Sequence, residues 1–563
     1  MRWFYIAAVI RAPATLTSLL LLGLLSACTT LPPGVQPVPD DDPAAGLLTL
    51  PAGRSVVVLP DELDYTGRAR LEWPDGRVYD GDWVDGRPHG LGVEQTPDGS
   101  RYRGAWRNGH RDGHGILELA DGQRYEGAFV AGQREGQGTL TGPDGEYRGQ
   151  WAADVPDGEG AFEASDGTWY RGQWRDGQRF GEGSYRSIDG SVYEGAWVND
   201  QPYGFGRLER PEGAHYEGEW RQGRQHGYGR EEGPPGLVYE GTWAEGERHG
   251  YGEEQRPDGS RYVGEWRAGK RHGQGREEHP DGSFHEGMWE LNQPLGPGYR
   301  RAPSGIEISG LWNNDAVSTG LLVLPSGPEY AGPLFGDANR IASGRLRRWL
   351  HTTAGRGDPY AQLLLGTLYL DYQEPAPDVG VARRWLSRAA AVGIAEAQFR
   401  LALTYENENP PRVVELLAEA ARQDHVGANE TLAEYYYGGI TVPRSLERAR
   451  GYYERAVARG SVPARNNLAW LLATANEPEL RDGERAVALI RGVALSSGAW
   501  QYLDTLAAAW AAAGEFDRAV LVAERAIAIA QRELAGDTLG EVALLERRLD
   551  GYRNRHAYVE AAP

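Results

Sequence analysis

The chain has 563 residues and a single cysteine, so no disulfide can form within it. In an oxidising compartment its stability would have to come from packing. Basic charge is also scarce: 59 Lys and Arg stand against 80 Asp and Glu, a formal charge of −21. No basic stripe of the kind that holds nucleic acid or an anionic bilayer is available. Motifs of chemistry are missing as well. There is no cysteine nucleophile site, no Gly-x-Ser-x-Gly elbow, no phosphate loop and no His-Glu-x-x-His. Paired carboxylates such as Glu231-Glu232 and Glu253-Glu254 fall at positions expected to face outward or lie in loops, where charge is solvated. The chain is rich in 78 Gly and 18 Trp, a pairing that points to tight turns and aromatic anchors rather than disorder. At this length two or more cores are expected.

Arg2 and Arg11 precede an apolar run from Leu16 to Leu25, followed by small residues and Cys28. The run is short for a membrane span but suits the apolar region of a signal peptide over 1–27. Leu25-Ser26-Ala27-Cys28 resembles the lipobox of bacterial lipoproteins. That resemblance implies lipidation at Cys28 and a membrane contact through the lipid anchor. Thr29, where Asp would signal inner-membrane retention, implies the periplasmic face of the outer membrane. Residues 28–51, with Pro at 32, 33, 37, 39 and 43 and three successive Asp, read as a tether.

From 52 to 337 one pattern recurs. It places Tyr79 with Trp83, Tyr102 with Trp106, Tyr125 with Phe129, Tyr147 with Trp151 and Tyr170 with Trp174. It continues with Tyr193 and Trp197, Tyr216 and Trp220, Tyr239 and Trp243, and Tyr262 and Trp266. The step is 23 residues, except for 22 between Tyr125 and Tyr147. In an extended strand Tyr79, Gly81 and Trp83 share one face while Asp80 and Asp82 point away. The intervening glycine leaves room for a ring of the next unit to lie on the backbone. Gly-x-Gly follows in most units, and Asp-Gly closes them, as at Asp98-Gly99 and Asp258-Gly259, with the preferences of a type I′ turn. A lone hairpin is marginal in water, so the units are expected to stack into one antiparallel sheet with these rings as its packing column.

The pattern resembles the MORN repeat, over roughly residues 64–335. It decays towards its end: His285-Glu286-Gly287-Met288-Trp289 loses the Tyr, as capping units often do. Asp200 replaces a turn glycine, and either it or the short unit is a candidate kink. His89, His226, His249 and His272 form a further column. Copies two strands apart would sit about 10 Å from one another, too far to share a zinc, so neither metal nor cofactor is expected.

Between 340 and 555 glycine gives way to Ala, Leu and Arg at helical spacing. Ala361, Leu365, Gly366 and Tyr369 are matched by Ala397, Leu401, Ala402 and Tyr405, then by Ala428, Leu432, Ala433 and Tyr436. Second helices carry Ala382, Trp385, Ala389, Ala390 and Gly393, echoed by Ala449, Tyr452, Ala456 and Gly460. Small residues at fixed places let helices approach closely, and the two glycines suit left-handed caps. This half resembles Sel1-like repeats, and near its end (Leu506, Ala507, Trp510, Gly514, Phe516, Ala519, Ala523, Ala526) a plain tetratricopeptide unit. An all-α solenoid is implied, followed by a tail over 556–563. Two repeat arrays leave no room for a catalytic domain. The expected function is a non-catalytic envelope adaptor binding protein partners through the inner helix of each pair, opened near Ala361, Ala397, Ala428 and Ala464, with self-association through the β-array as a further option. A glycan-binding module using exposed Tyr and Trp of the β-array is the alternative. Phospholipid binding, once proposed for such β-repeats, is disfavoured by the net acidity.

Overall fold

The computed structural model describes residues 31–560 except 34, 39–41, 52, 212, 234, 337–340, 372–376 and 535–538. Cys28 and the signal segment over 1–27 lie outside the described residues. The chain divides into two compact units, one up to Val155 and one from Pro156.

In the first unit an antiparallel sheet starts with Gly46–Thr49, which pairs with both Ser55–Val58 and Gly67–Glu72. The tether expected over 28–51 therefore ends earlier. Leu47-Leu48-Thr49-Leu50 alternates as a strand does, and Leu48 and Leu50 are buried in the cap of the array. Regular hairpins follow, beginning with Val78–Val84 against Arg87–Gln95 and running to Gly145–Ala152. The second unit, which begins within the strand Val155–Ala164, repeats the same hairpin through Glu329–Pro333.

Two kinds of turn alternate, and their chemistry differs from the sequence expectation. The type I′ turns lie just after the tryptophan: Asp85 and Gly86 both have positive φ (47° and 68°), and Val84 pairs with Arg87 across them. The Asp-Gly closures make longer loops. Gly99 donates to the Thr96 carbonyl at 2.9 Å, Thr96 donates to the Ser100 carbonyl at 2.9 Å, and only Gly99 (φ 93°) is left-handed. Pro97 cannot take a positive φ, so a type I turn closing on a left-handed glycine forms instead. The short unit loses its residue here, since Gly142 pairs directly with Gly145.

Where the turn glycine is replaced, the new side chain is used. Asp200 (φ 65°) accepts from the backbone N–H and Nε of Arg179 at 3.0 and 3.1 Å. Asp154 holds Arg134, and Asn292 holds Arg271, in the same manner.

After the sheet the second unit continues in helices. Among the described residues these are α1 (Gly344–Gly355), α2 (Pro359–Asp371), α3 (Val379–Ala391), α4 (Ala395–Leu403), α5 (Pro410–Ala421) and α6 (Val426–Gly438). They continue as α7 (Leu446–Ala458), α8 (Val462–Thr474), α9 (Gly483–Ser497), α10 (Trp500–Ala512), α11 (Phe516–Glu533) and α12 (Leu539–Arg553). Asp378, Asn409, Ser445, Ser461 and Asp482 cap their helices by accepting a backbone N–H. Gly393 and Gly460 end α3 and α7 at φ 92° and 86°. Ala361, Ala397, Ala428, Ala464 and Ala507 are fully buried in the helix seams.

Helices and sheet share a core in this unit, where Trp312, Val317 and Leu322 pack with Leu346 and Leu350. The helices also rest on the β-loops. A Cβ on Gly492 would overlap the Pro235 carbonyl, and one on Gly460 would reach Pro280 Cγ at 2.7 Å.

Candidate functional site: an occupied face on the helical array

The aromatic column of the β-array packs against itself. Tyr79, Trp83, Tyr102, Trp106, Tyr125, Tyr147, Trp151, Tyr170, Tyr193, Trp197, Tyr216, Trp220, Tyr239, Trp243, Tyr262 and Trp266 are all buried. Trp174 is partly buried against the same cluster. Within each unit the tyrosines meet the Trp (Phe129 for Tyr125) of their own repeat edge-on, as Tyr216 does Trp220 at 5.3 Å, and then the ring of the next repeat, as Tyr216 does Trp243 at 5.2 Å. The ring lying on the glycines is the unit's own tyrosine rather than one from the next unit. A Cβ on Gly229 would collide with Tyr216, because the Tyr216 hydroxyl bends back to donate to the Glu219 carbonyl at 3.0 Å. The tryptophans reach across units instead, with Trp220 Nε1 donating to the Gly206 carbonyl at 3.0 Å. These rings are packed against one another, and all but Trp174 are buried.

The carboxylates of the array split by face. Glu254, expected outside, is buried between Arg248 (2.5 Å) and Arg256 (2.7 Å). Arg256 also pairs with Glu277 at 2.7 Å, and Arg271 with Glu277 at 2.5 Å. Burial opposes the charge on Glu277, but Arg271 and Arg256 hold its carboxyl below the usual range. Arg248 and Arg271 lie over column rings (Arg248 over Tyr239 at 4.6 Å, Arg271 over Trp289 at 4.6 Å), so this ladder locks the packed face. Glu253 stays outside, paired with Arg261. The histidine column marks bulges. His226 stands opposite Glu219 where the register shifts, and the following Gly227 has φ 56°. Among the described residues no three His, Cys, Asp or Glu gather to hold a metal ion.

The most exposed rings of the array lie in a different register, at the centre of Gly-x-Gly. Phe205, Tyr228 and Tyr251 are 63, 54 and 63 % exposed on the outward face. An open depression of about 490 Å³ beside the last of them is lined by Tyr251, Arg261, Gln274, Arg276, Glu278 and Glu286.

The most elaborated polar site lies on the helical array. After α12 the segment Ala557–Glu560 runs back across α6 and α8. Glu560 accepts from Trp470 Nε1 at 2.7 Å and from the Tyr437 hydroxyl, while its backbone N–H donates to the Thr474 carbonyl at 2.8 Å. Burial, and then the Glu560 carboxylate at its hydroxyl, push the Tyr437 phenol well above its ordinary value. Tyr558 packs on Trp470 with centroids 5.9 Å apart, and the Arg548 guanidinium lies over both rings at 5.3 and 5.5 Å. Arg548 is itself fixed by the buried Asp504 through bonds of 3.1 and 2.7 Å.

Tyr437 and Trp470 sit on two of the helices (those opened near Ala428 and Ala464) expected to carry partner contacts. The occupant was not legible: Glu560 is 90 residues from Trp470 and 123 from Tyr437. The faint signal was a Tyr-x-Glu just beyond a terminal helix.

Elsewhere titratable groups serve the framework. Glu396 is held at about 2, against the effect of burial, by His425 at 2.8 Å and by Arg400, and His425 caps α6 by accepting from Ala428 N–H. No helix among the described residues is long and apolar enough to cross a membrane.

Comparison with known families agrees with this architecture. The MORN repeat matches nine times without a gap from residue 79 to 284. The Sel1 repeat matches residues 359–393, 395–425 and 429–461. Among solved structures, a Sel1 repeat protein from Oxalobacter formigenes is 26% identical, covering 32% of this chain and 76% of its own, with a TM-score of 0.28. A protective antigen present in uropathogenic Escherichia coli strains, displaying an SLR fold, is 21% identical over 38% of this chain and 56% of its own, with a TM-score of 0.27. No curated protein matches the chain.

Proposed function

We propose that this chain, MORN repeats over 79–284 followed by Sel1 repeats over 359–461, is a non-catalytic adaptor that binds protein partners on its helical array. Repeats of the Sel1 kind generally mediate protein–protein interaction. The carrying observation is the α6–α8 face, where Tyr437 and Trp470 hold the extended segment Ala557–Glu560 by its side chains. A surface that selects an extended segment in this way has the chemistry of a peptide acceptor. The lipobox-like Leu25-Ser26-Ala27-Cys28 supports placing the adaptor in the cell envelope, lipid-anchored at the periplasmic face of the outer membrane. Crosslinking in intact envelopes, with capture of the full chain, tests this. Partners that crosslink to photoreactive residues on α6 and α8 support it. Crosslinks confined to the β-array would move the function to that array.

A second reading rests on Phe205, Tyr228 and Tyr251. They lie two strands apart, at about 10 Å intervals, comparable with one disaccharide of an extended β-linked glycan. The depression beside Tyr251 supplies Arg261, Arg276 and Glu286 for hydroxyl groups. Co-sedimentation with purified peptidoglycan, lost in a Tyr228→Ala/Tyr251→Ala variant, would establish this reading. Equal sedimentation of both proteins would remove it.

A further inference from the structure

The contact between Glu560 and the α6–α8 face has features a helical cap does not require. A cap needs acceptors or donors for the free backbone groups at the end of α8, and the Glu560 N–H to Thr474 carbonyl bond provides that alone. Beyond it, two side chains are read. The Glu560 carboxylate is met by one hydroxyl and one indole N–H, and Tyr558 lies on Trp470 under Arg548. Val559 between them is 39% exposed, so alternate side chains enter the site as they do along any extended peptide.

Both groups that meet the carboxylate are neutral. The guanidinium lying over the neighbouring rings, that of Arg548, is engaged with Asp504, each of the two being nearly buried. The site thus selects a carboxylate by directed donors without a partner charge, so the occupant is held by geometry rather than by a buried ion pair. Those donors stand on packed helices, whereas the occupant hangs from a short connection after α12. A rigid site with a tethered occupant is the arrangement of an exchangeable ligand.

We infer that the Tyr437–Trp470 pocket is a recognition site for an extended peptide with an aromatic residue two positions before an acidic one, and that Tyr558-Val559-Glu560 is its resident, exchangeable occupant. The inference rests on the adaptor reading and specifies its partner: an unstructured segment of another protein carrying the same aromatic-x-acid order. Such a segment must displace the resident. A short tether gives the resident an effective concentration in the millimolar range, so a partner in solution binds the intact chain more weakly than its contacts alone allow.

The probe is a fluorescein-labelled peptide, Asn-Arg-His-Ala-Tyr-Val-Glu, corresponding to residues 554–560, followed by anisotropy on the full chain. Vacating the site with Tyr558→Ala and Glu560→Ala is expected to tighten probe binding roughly tenfold or more relative to the unaltered chain. Adding Trp470→Phe, which keeps an aromatic face for Tyr558 but removes the indole N–H, should reverse that gain. A probe with Gln in place of its Glu should bind neither chain.

Three results overturn the inference: equal probe affinity for the intact and vacated chains, absence of binding to the vacated chain, or binding indifferent to Trp470→Phe. A vacated chain whose melting temperature falls and is not restored by excess probe makes the segment a structural cap, which also overturns it. Failure of the adaptor reading looks different. If envelope crosslinking captures no partner while the probe behaves as expected, the site stands and the adaptor does not. If partners are captured equally by the Trp470→Phe chain, the adaptor stands and this site is not where they bind.

Discussion

Replacing His285 with tyrosine should make the end of the β-array less sensitive to acid. His285 occupies the tyrosine place of its unit, edge-on to Trp289 at 5.2 Å and to Trp312 at 5.1 Å. It is only 4% exposed, and among the described residues neither ring nitrogen has a hydrogen-bond partner. Burial first, then the Arg300 and Arg271 charges, lower its pKa from 6.5 to about 4 against the opposing pull of Glu277 and Asp315. The unfolded chain therefore binds a proton at a pH where the folded one does not. The folded state loses stability as pH falls below about 6.5, and the loss is complete below about 4. A difference of some 2.5 units at about 1.36 kcal/mol each corresponds to roughly 3 kcal/mol, an upper figure because part of the ring's field reaches solvent.

Tyrosine at 285 carries no such titration, and its hydroxyl can donate to the carbonyl three residues on, as Tyr262 does to Glu265. Hydrogen exchange in Phe284–Glu290 and Glu307–Asn313, measured from pH 7 to pH 4 on both proteins, isolates the contribution of His285 because the carboxylates titrate alike in each. The gap between the proteins should widen steadily on acidification towards pH 4. A gap constant across that range would refute the buried neutral histidine.

Truncating Trp220 to alanine in mid-array should cost about 3–5 kcal/mol and loosen the units of Trp197 and Trp243, read by chemical denaturation and exchange; unchanged stability would contradict the packing role. Gly492→Ala should destabilise the unit by about 1–3 kcal/mol even though alanine favours a helix by about 1 kcal/mol, because its methyl meets the Pro235 carbonyl; a rise in melting temperature would mean that the helix does not rest on that loop. Cys28→Ala should abolish metabolic labelling by a fatty-acid probe and release the protein from membranes, and persistent labelling would remove the lipid anchor from the proposal.

The β-array was legible because its geometry repeats locally. Tyr, Gly and Trp at fixed spacing can satisfy one another only on one strand face, and that is where Tyr216, Gly218 and Trp220 lie. The helical array was legible for a similar reason, with Ala361, Ala397 and Ala428 spaced to fit helix seams. Turn chemistry was harder to read. Asp98-Gly99 has the hairpin dipeptide, yet Pro97 ahead of it forces another loop, while the true type I′ turns mix strong pairs such as Asp85-Gly86 with Ala131-Gly132 and Leu291-Asn292, which carry a weaker signal. Contacts that join distant repeats left no local trace. Gly492 reads as an ordinary helical glycine until Pro235 is placed against it, and Glu560 reads as a solvated acid until Trp470 is. The candidate site belongs to this last class.

The tryptophan reach from one unit to the carbonyl of the unit before it has a mechanical consequence. In the second unit Trp197, Trp220, Trp243, Trp266 and Trp289 each fasten to the preceding hairpin by the same bond and the same edge-on rings. Between hairpins, load along the chain meets a series of near-identical fasteners, to which the helices resting on the loops at Pro235 and Pro280 add their own hold. Each that yields frees one hairpin of 23 residues, about 80 Å of extended chain. An array built this way pays out length in even increments under tension and can reseat them singly when the tension drops.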